Sequence, residues 1–288
     1  MENKKEILAI IVSYNCDDKI LRCYNSIKQQ VDKVVIVDNF SQDEKSKQYL
    51  KQLSTEVEII YNDSNYGIAK ALNQAAKYAI DNNYKWLLTV DQDSEFLPDT
   101  YSLMLSSYEK MSDKDKTMLI APQFKKRIEY TEDKKSYLQA YNIIWKKETN
   151  IITSGSLIKT EIFKKIGFFE EKFFIDRVDF DFCFRINING FITKIAQNIF
   201  FICEFAKEGK RYSFSVSNYS AQRRYFIARN SVYIAKKYFF KFPLSVSNII
   251  LHSGIFVAFI KILLFEQDKI HKIKSIYKGF IDGMLNRF

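Results

Sequence analysis

The chain has 288 residues, 47% of them hydrophobic, with 44 Lys and Arg against 34 Asp and Glu. This balance excludes a disordered or fibrous protein and leaves room for one large α/β domain, or a domain with an appendage. Eight Gly and three Pro exclude a long flexible linker, and the net charge of +10 points to an anionic partner.

Residues 7–12 (I-L-A-I-I-V) form a continuous apolar run of the kind that a parallel strand covered on both faces requires. Ser13, Tyr14 and Asn15 follow it, and residues 18–30 then place Ile20, Leu21, Tyr24 and Ile27 at helical spacing. Residues 34–37 predict the next strand, ending in Asp38 and Asn39. A polar helix over 42–53 and a third strand over 57–61 come next. Asn65-Tyr66-Gly67 opens a helix with apolar residues at Ile68, Ala71, Leu72, Ala75 and Ala76. Residues 86–91 (W-L-L-T-V-D) predict a buried strand that ends in carboxylates. Strands alternating with helices in this way imply βαβ units and a parallel sheet.

Tyr14, Asn15, Asp38, Asn65, Asp91 and Asp93 all follow predicted strands, so they are expected on one sheet edge. Open α/β sheets bind ligands outside that edge. If the extended conformation continues past Asp91, Asp91 and Asp93 project to one side, about 6–7 Å apart. Such a pair suits a hard divalent cation, although a lone D-x-D is far more often a solvated acidic turn. Neither G-x-G-x-x-G nor G-x-x-x-x-G-K occurs.

These segments carry a family resemblance. I-V-S-Y-N at 11–15, V-D-N at 37–39, N-x-G-x-A-x-A-x-N at 65–73 and T-x-D-Q-D-S at 89–94 resemble the nucleotide-sugar domain of glycosyltransferase family 2. The D-Q-D-S form is most similar to the family's bacterial rhamnosyltransferase branch. Further on, T-S-G-S-L-I at 153–158, K-I-G-F-F at 165–169 and F-F-I-D at 173–176 extend the likeness. Residues 179–185 (D-F-D-F-C-F-R) resemble the acidic acceptor-side motif D-x-[DE]-x-C-x-R. Many relatives begin that motif with Glu-Asp, where this chain has Val178-Asp179. By position Asp179 matches the family's catalytic base, with Asp181 and Asp176 as close competitors. From the residues alone, Asp179 and Asp181 are also favourable carboxylates at a helix N-terminus. Residues 218–230 (N-Y-S-A-Q-R-R-Y-F-I-A-R-N) resemble N-H-S-P-x-R-R-Y-Y-x-x-R-N, with Tyr219 where many relatives place a metal-binding His. A neutral phenol is a poor ligand for a divalent ion.

The resemblance implies a GT-A fold over residues 1–206, split into a nucleotide-sugar half (1–98) and an acceptor half (99–206), followed by a basic helical region at 207–288. The implied activity is inverting transfer of a sugar, with dTDP-rhamnose as first-choice donor and UDP-galactose, UDP-glucose or UDP-galactofuranose as alternatives. The implied acceptor is a polyprenyl-diphosphate-linked glycan in cell-surface polysaccharide synthesis, of capsule or O-antigen type. The implied nucleotide-sugar residues are Ser13, Tyr14, Asn15, Asp38, Asn39, Asn65, Gly67, Asn73, Asp91, Gln92, Arg223, Arg224 and Arg229. Asp38 would accept the imide N–H of a uracil or thymine ring. Asp91 and Asp93 would serve Mg²⁺ or Mn²⁺, and the arginines would bind phosphate through the guanidinium fork.

The positive excess lies in residues 207–288, which hold 15 Lys and Arg against 4 Asp and Glu. Residues 243–265 are largely apolar, interrupted by His252 and Lys261, and lysines flank them on both sides. About 20 apolar residues are needed to span a bilayer. Basic clusters on both flanks disfavour a span, so a helix or helix pair lying on an anionic membrane surface is expected. Packing in the core or on a second copy of the chain, as a homodimer, is the alternative. A basic nucleic-acid binder is the reading from another class, but no RRM, KH or helix-turn-helix signature accompanies the charge, and no nucleic-acid partner is expected. Cys16, Cys23, Cys183 and Cys203 show no C-x-x-C spacing and predict reduced thiols. The first six residues, M-E-N-K-K-E, are too acidic and short for a signal peptide. The expected location is cytoplasmic, peripheral on the inner face of a bacterial cell membrane.

Overall fold

The computed structural model describes residues 5–126, 142–203, 209–211, 214–216, 218–251 and 256–288. It divides into two compact units, Met1–Phe169 with Phe182–Glu204, and Glu170–Asp181 with Phe205–Phe288. His252, which the sequence places in the apolar stretch, lies outside the described residues.

The first unit is built on one mixed sheet. Its parallel half runs in the order β3 (Glu58–Tyr61), β2 (Lys33–Asp38), β1 (Ile7–Ser13), β4 (Trp86–Asp91). Leu8, Ala9, Ile10 and Ile11 are all fully buried, as the uninterrupted apolar run demands. Helix α1 (Lys19–Ile27) lays Ile20, Cys23, Tyr24 and Ile27 into the core, at the i, i+3, i+4, i+7 spacing of one helix face. Helix α2 (Glu44–Leu53) is capped by Asp43, whose carboxylate accepts from the Ser46 N–H. Helix α3 (Ile68–Asp81) buries Ala69, Ala71, Leu72, Ala75, Ala76 and Ala79. Gly67 precedes it at φ +81°, a left-handed position that favours glycine.

Beyond β4 the chain does not stay extended. Gln92 and Asp93 make a turn, and β5 (Ser94–Phe96) then pairs antiparallel with β9 (Ile192–Cys203). The expected same-side projection of Asp91 and Asp93 along one strand is therefore corrected. The cause is a tie made far along the chain: Gln92 Oε1 accepts from Tyr14 N at 2.9 Å, and Gln92 Nε2 donates to Tyr14 O at 3.2 Å. The rest of the sheet follows helix α4 (Thr100–Glu109) and includes β6 (Thr117–Lys126) and β7 (Trp145–Lys147). Strand β8 (Ser156–Lys159), before helix α5 (Glu161–Ile166), pairs antiparallel with both β4 and β6.

Helix α6 (Val178–Ile188) contains the division between the units, which falls after Asp181. The second unit combines residues 170–181 with a hairpin, β10 (Gly209–Arg211) and β11 (Phe214–Val216), and four helices. These are α7 (Ala221–Tyr238), α8 (Pro243–Leu251), α9 (Phe256–Phe265) and α10 (Lys269–Met284). The apolar stretch 243–265 is thus two short helices, and no helix among the described residues is long and apolar enough to cross a membrane.

Helix α10 lies tightly against α7. A Cβ placed on Gly279 would sit 2.3 Å from the Tyr225 carbonyl oxygen, and one on Gly283 would sit 2.6 Å from the Arg229 carbonyl oxygen. Part of the basic surplus is also consumed inside this unit. Buried Glu266 accepts from Arg224 and from Lys272 Nζ, the latter at 2.9 Å, and Lys272 also donates to Asn218 Oδ1 at 2.6 Å. Lys272, read from the sequence as a basic flank of the apolar stretch, is therefore an interior partner of a carboxylate and not a surface charge.

Candidate active site

In the first unit the strand ends align by register. Ser13 pairs with Asp38 across β1 and β2, and Val12 pairs with Asp91 across β1 and β4. Asp38 is 3% exposed, and its carboxylate accepts from both Ser41 N (3.0 Å) and Ser41 Oγ (2.5 Å). Two of the four lone-pair directions of that carboxylate are thereby used. Asn15 sits at φ +45°, where its N–H donates to Ser41 Oγ and its Oδ1 accepts from Gln42 N. Tyr14 is exposed at 45%, beside the Gln92 tie.

An amide chain continues this edge. Asn39 Nδ2 donates to Asn65 Oδ1 at 3.0 Å, while Asn39 Oδ1 accepts from Asn62 Nδ2 and Tyr66 N, each at 3.1 Å. Asn65 Oδ1 also accepts from Gly67 N, which fixes the entry to α3. Asn73 has a different place from the one expected of a nucleotide contact. It is buried, donates to Phe169 O and accepts from Phe169 N, clamping that backbone to α3.

Asp91 and Asp93 are half-buried, and the Asp91 N–H donates to Ser154 Oγ at 3.0 Å. Ser154 Oγ is in turn 2.7 Å from Ser94 Oγ, so the serines of D-Q-D-S and T-S-G-S join the turn to the entry of β8. Among the described residues no group of three or more His, Cys, Asp and Glu side chains could hold a metal ion. Two carboxylates do fit Mg²⁺ or Mn²⁺ in a site where diphosphate oxygens and water complete the coordination. Cys23 Sγ contacts the Asp91 carbonyl at 3.5 Å, and burial raises its thiol well above the ordinary range, with the charges of Asp93 and Asp91 adding to the effect. It is an inert core thiol.

The second unit holds the carboxylates Asp176, Asp179 and Asp181. Phe174, Asp176 and Arg177 have φ of +61°, +62° and +70°, and α6 begins at the next residue. Asp179 is half-buried, and its Oδ1 accepts from Phe180 N at 2.9 Å. Burial pushes its carboxyl up to about 6, against the nearby charge of Arg177 and the Phe180 hydrogen bond, and with help from Asp176. Asp181 is fully buried and accepts from Lys237 Nζ (3.0 Å) and Tyr238 Oη (2.6 Å). Asp176 accepts a two-point fork from Arg223, Nε at 3.2 Å and Nη2 at 3.1 Å.

Three arginines were expected at phosphate. Arg223 faces Asp176, and Arg224 is buried against Glu266. Buried Arg229 donates to the carbonyls of Lys172 (2.6 Å) and Phe173 (3.3 Å). Tyr219 lies beneath two of them, with the guanidinium carbons of Arg223 and Arg224 at 4.2 and 5.2 Å from its ring centroid. Sequence reasoning missed Ser41, Ser154 and Asn230. The motif at 218–230 contained Asn230, but its partners lie more than fifty residues away.

A family model described as Glycosyl transferase family 2 matches residues 8–173. The chain is 26% identical to the dTDP-rhamnosyl transferase RfbF of Shigella flexneri, an alignment covering 96% of this chain and 95% of that one. It is 24% identical to the low-salt glycan biosynthesis hexosyltransferase Agl10 of Haloferax volcanii, covering 98% and 92%. Among solved structures, GalNAc-T7 with UDP, GalNAc and Mn²⁺ gives a TM-score of 0.62 at 16% identity, covering 99% of this chain but 57% of that one. A Staphylococcus aureus TarS fragment, 1–349, with UDP-GlcNAc gives 0.54 at 16%, covering 98% and 73%. At these identities the likeness shows the fold, which is the GT-A fold.

Proposed function

The chain belongs to glycosyl transferase family 2 and is a glycosyltransferase, and from that premise we propose that it transfers rhamnose from dTDP-rhamnose to a glycan acceptor with inversion. The similarity to RfbF along nearly the whole of both chains supports the donor. A UDP-hexose donor is the second reading, favoured by the likeness to Agl10. The proposed acceptor is a polyprenyl-diphosphate-linked glycan, as in capsule or O-antigen assembly.

The observation that carries the mechanism is Asp179, a half-buried carboxylate poised near 6 at the start of α6. A general base is most effective when its pKa lies near the working pH. Asp179 would take the proton of the acceptor hydroxyl as that oxygen attacks the anomeric carbon from the face opposite the diphosphate. Asp181 is the weaker candidate, since Lys237 and Tyr238 already occupy its buried carboxylate. Asp38 would accept the imide N–H of the base through the lone pairs that Ser41 leaves open, and the strand-end residues Ser13, Tyr14, Asn15 and Asn39 would frame the nucleoside. Asp93, with Asp91, would hold Mg²⁺ or Mn²⁺. A bound cation would supply positive charge beside the departing diphosphate.

We place the protein at an anionic membrane surface on the cytoplasmic side. The support is the exposure of Leu244, Leu251, Phe259, Ile260, Leu263 and Leu264 on α8 and α9, together with exposed Lys241 and Lys269.

Two substitutions assayed for turnover and for donor binding test the mechanism. Asp179→Asn should lower kcat by about 10²–10⁴-fold with donor affinity unchanged, while Asp93→Asn should weaken donor binding and the response to Mn²⁺. Near-normal turnover in Asp179→Asn would remove the proposed base.

A further inference from the structure

Four residues of α7 converge on the turn that delivers α6. The turn is unusual in carrying Phe174, Asp176 and Arg177, none of them glycine, at φ near +60 to +70°. A left-handed backbone costs about 1–2 kcal/mol per ordinary residue, so such a turn persists only where its surroundings over-determine it. Asn230 supplies most of that constraint. The two N–H groups of its buried amide are shared among the carbonyls of Phe173 (3.0 Å), Ile175 (2.8 Å) and Asp176 (2.9 Å). Arg229 holds the carbonyl of Lys172 just before the turn, and Arg177 Nε is tied to Ser231 Oγ at 3.1 Å.

Arg223 completes the set from the side-chain direction. It lies seven residues before Asn230, two helical turns along the same face of α7. Its Nε and Nη2 are both committed to the carboxylate of Asp176, and its guanidinium carbon lies 4.2 Å from the Tyr219 ring centroid. The side-on edge is therefore taken, and a bidentate phosphate would have to use the Nη1/Nη2 end instead. Asp176 itself lies three residues before Asp179, and the charged groups acting on Asp179 are Arg177 and Asp176.

Resting on the reading of Asp179 as the base, we propose that Arg223 is a positioning residue for that carboxylate, acting through Asp176, and not a ligand of the donor phosphates. Arg223 fixes where the Asp176 carboxylate points and neutralises it. Removing the arginine leaves a bare negative charge close to the base. Removing Asp176 instead leaves the positive charge of Arg223 without its partner.

The test is the pH profile of kcat, with donor KM measured alongside, for the full-length wild type, Arg223→Gln, Arg223→Lys, Asp176→Asn and Asp179→Asn. Arg223→Gln should move the acid limb upward by about one pH unit, the scale of a like charge brought near a carboxylate. Turnover below the midpoint should fall about tenfold in that variant, with donor KM unchanged. Asp176→Asn should move the limb the other way, and Arg223→Lys should recover part of the shift. Opposite shifts distinguish this role from simple loss of structure, which would lower both variants without moving their midpoints in opposite senses. Midpoints that stay at the wild-type value, or a raised donor KM in Arg223→Gln without a shift, overturn the inference about Arg223. An acid limb that survives in Asp179→Asn overturns the base assignment beneath it.

Discussion

Gly279→Ala should destabilise this protein, although alanine is the better helix former. A Cβ at Gly279 would stand 2.3 Å from the Tyr225 carbonyl oxygen and 3.1 Å from the Arg229 nitrogen, both main-chain atoms of α7. Carbon–oxygen contacts settle at about 3.3–3.6 Å, so α10 must withdraw by about 1 Å. Overpacking of this kind costs about 1–3 kcal/mol, and a backbone obstacle places the cost in the upper part of that range. Replacing Gly by Ala inside a helix returns about 1 kcal/mol. The net loss is then about 1–2 kcal/mol, or roughly 4–16 °C in Tm for a unit of about 100 residues. Thermal unfolding followed by circular dichroism reads it directly, with Lys278→Ala on the exposed face as a control within about 0.5 kcal/mol. Since Arg229 and Asn230 hold the turn before α6, turnover should fall more than donor affinity. The sign decides the matter. A Gly279→Ala protein that melts at or above the wild-type temperature would mean that α10 does not approach α7 this closely.

Two further outcomes follow from the same structure. The folded pKa of Asp179, about 6, lies above the ordinary carboxylate value, so the stability linked to its proton is fully present below about pH 4 and is lost as pH rises through 6. Asp179→Asn should therefore melt above wild type at pH 7.5, with the gap closing towards pH 4; a gap independent of pH would contradict the burial argument. The full chain should sediment with vesicles containing anionic lipid and less well as salt rises. Ile260→Glu combined with Leu264→Glu should prevent this, and equal binding to neutral vesicles would remove the electrostatic part of the reading.

The parallel half of the sheet was legible because its strands announce themselves twice, by unbroken apolar runs and by the polar residue that ends each one. Asp38 and Asp91 stop their strands where expected. The geometry just beyond Asp91 was not legible, because Gln92 is bent by Tyr14, 78 residues earlier. The placing of residues 170–181 with the C-terminal helices was equally hidden, since the bonds of Asn230 and Arg229 to that segment span 54 to 57 residues. Charge counting included Glu266 as well as Lys272 and Arg224, but carries no information on the burial that joins them. The apolar stretch 243–265, expected as a helix or a helix pair, is the pair.

The discontinuous make-up of the second unit also sets an order of manufacture. Strands β1 to β4 pair among themselves and with β8, so the strand pairing of this half of the sheet is complete once Lys159 has been made. Residues 170–181 leave the ribosome without the groups that shape them. Asn230 arrives some fifty residues later, and the glycine that seats α10 behind it arrives only at Gly283. Because N-terminal units fold first during synthesis, a growing chain can pair these strands well before the turn at Phe174, Asp176 and Arg177 has the groups that hold it.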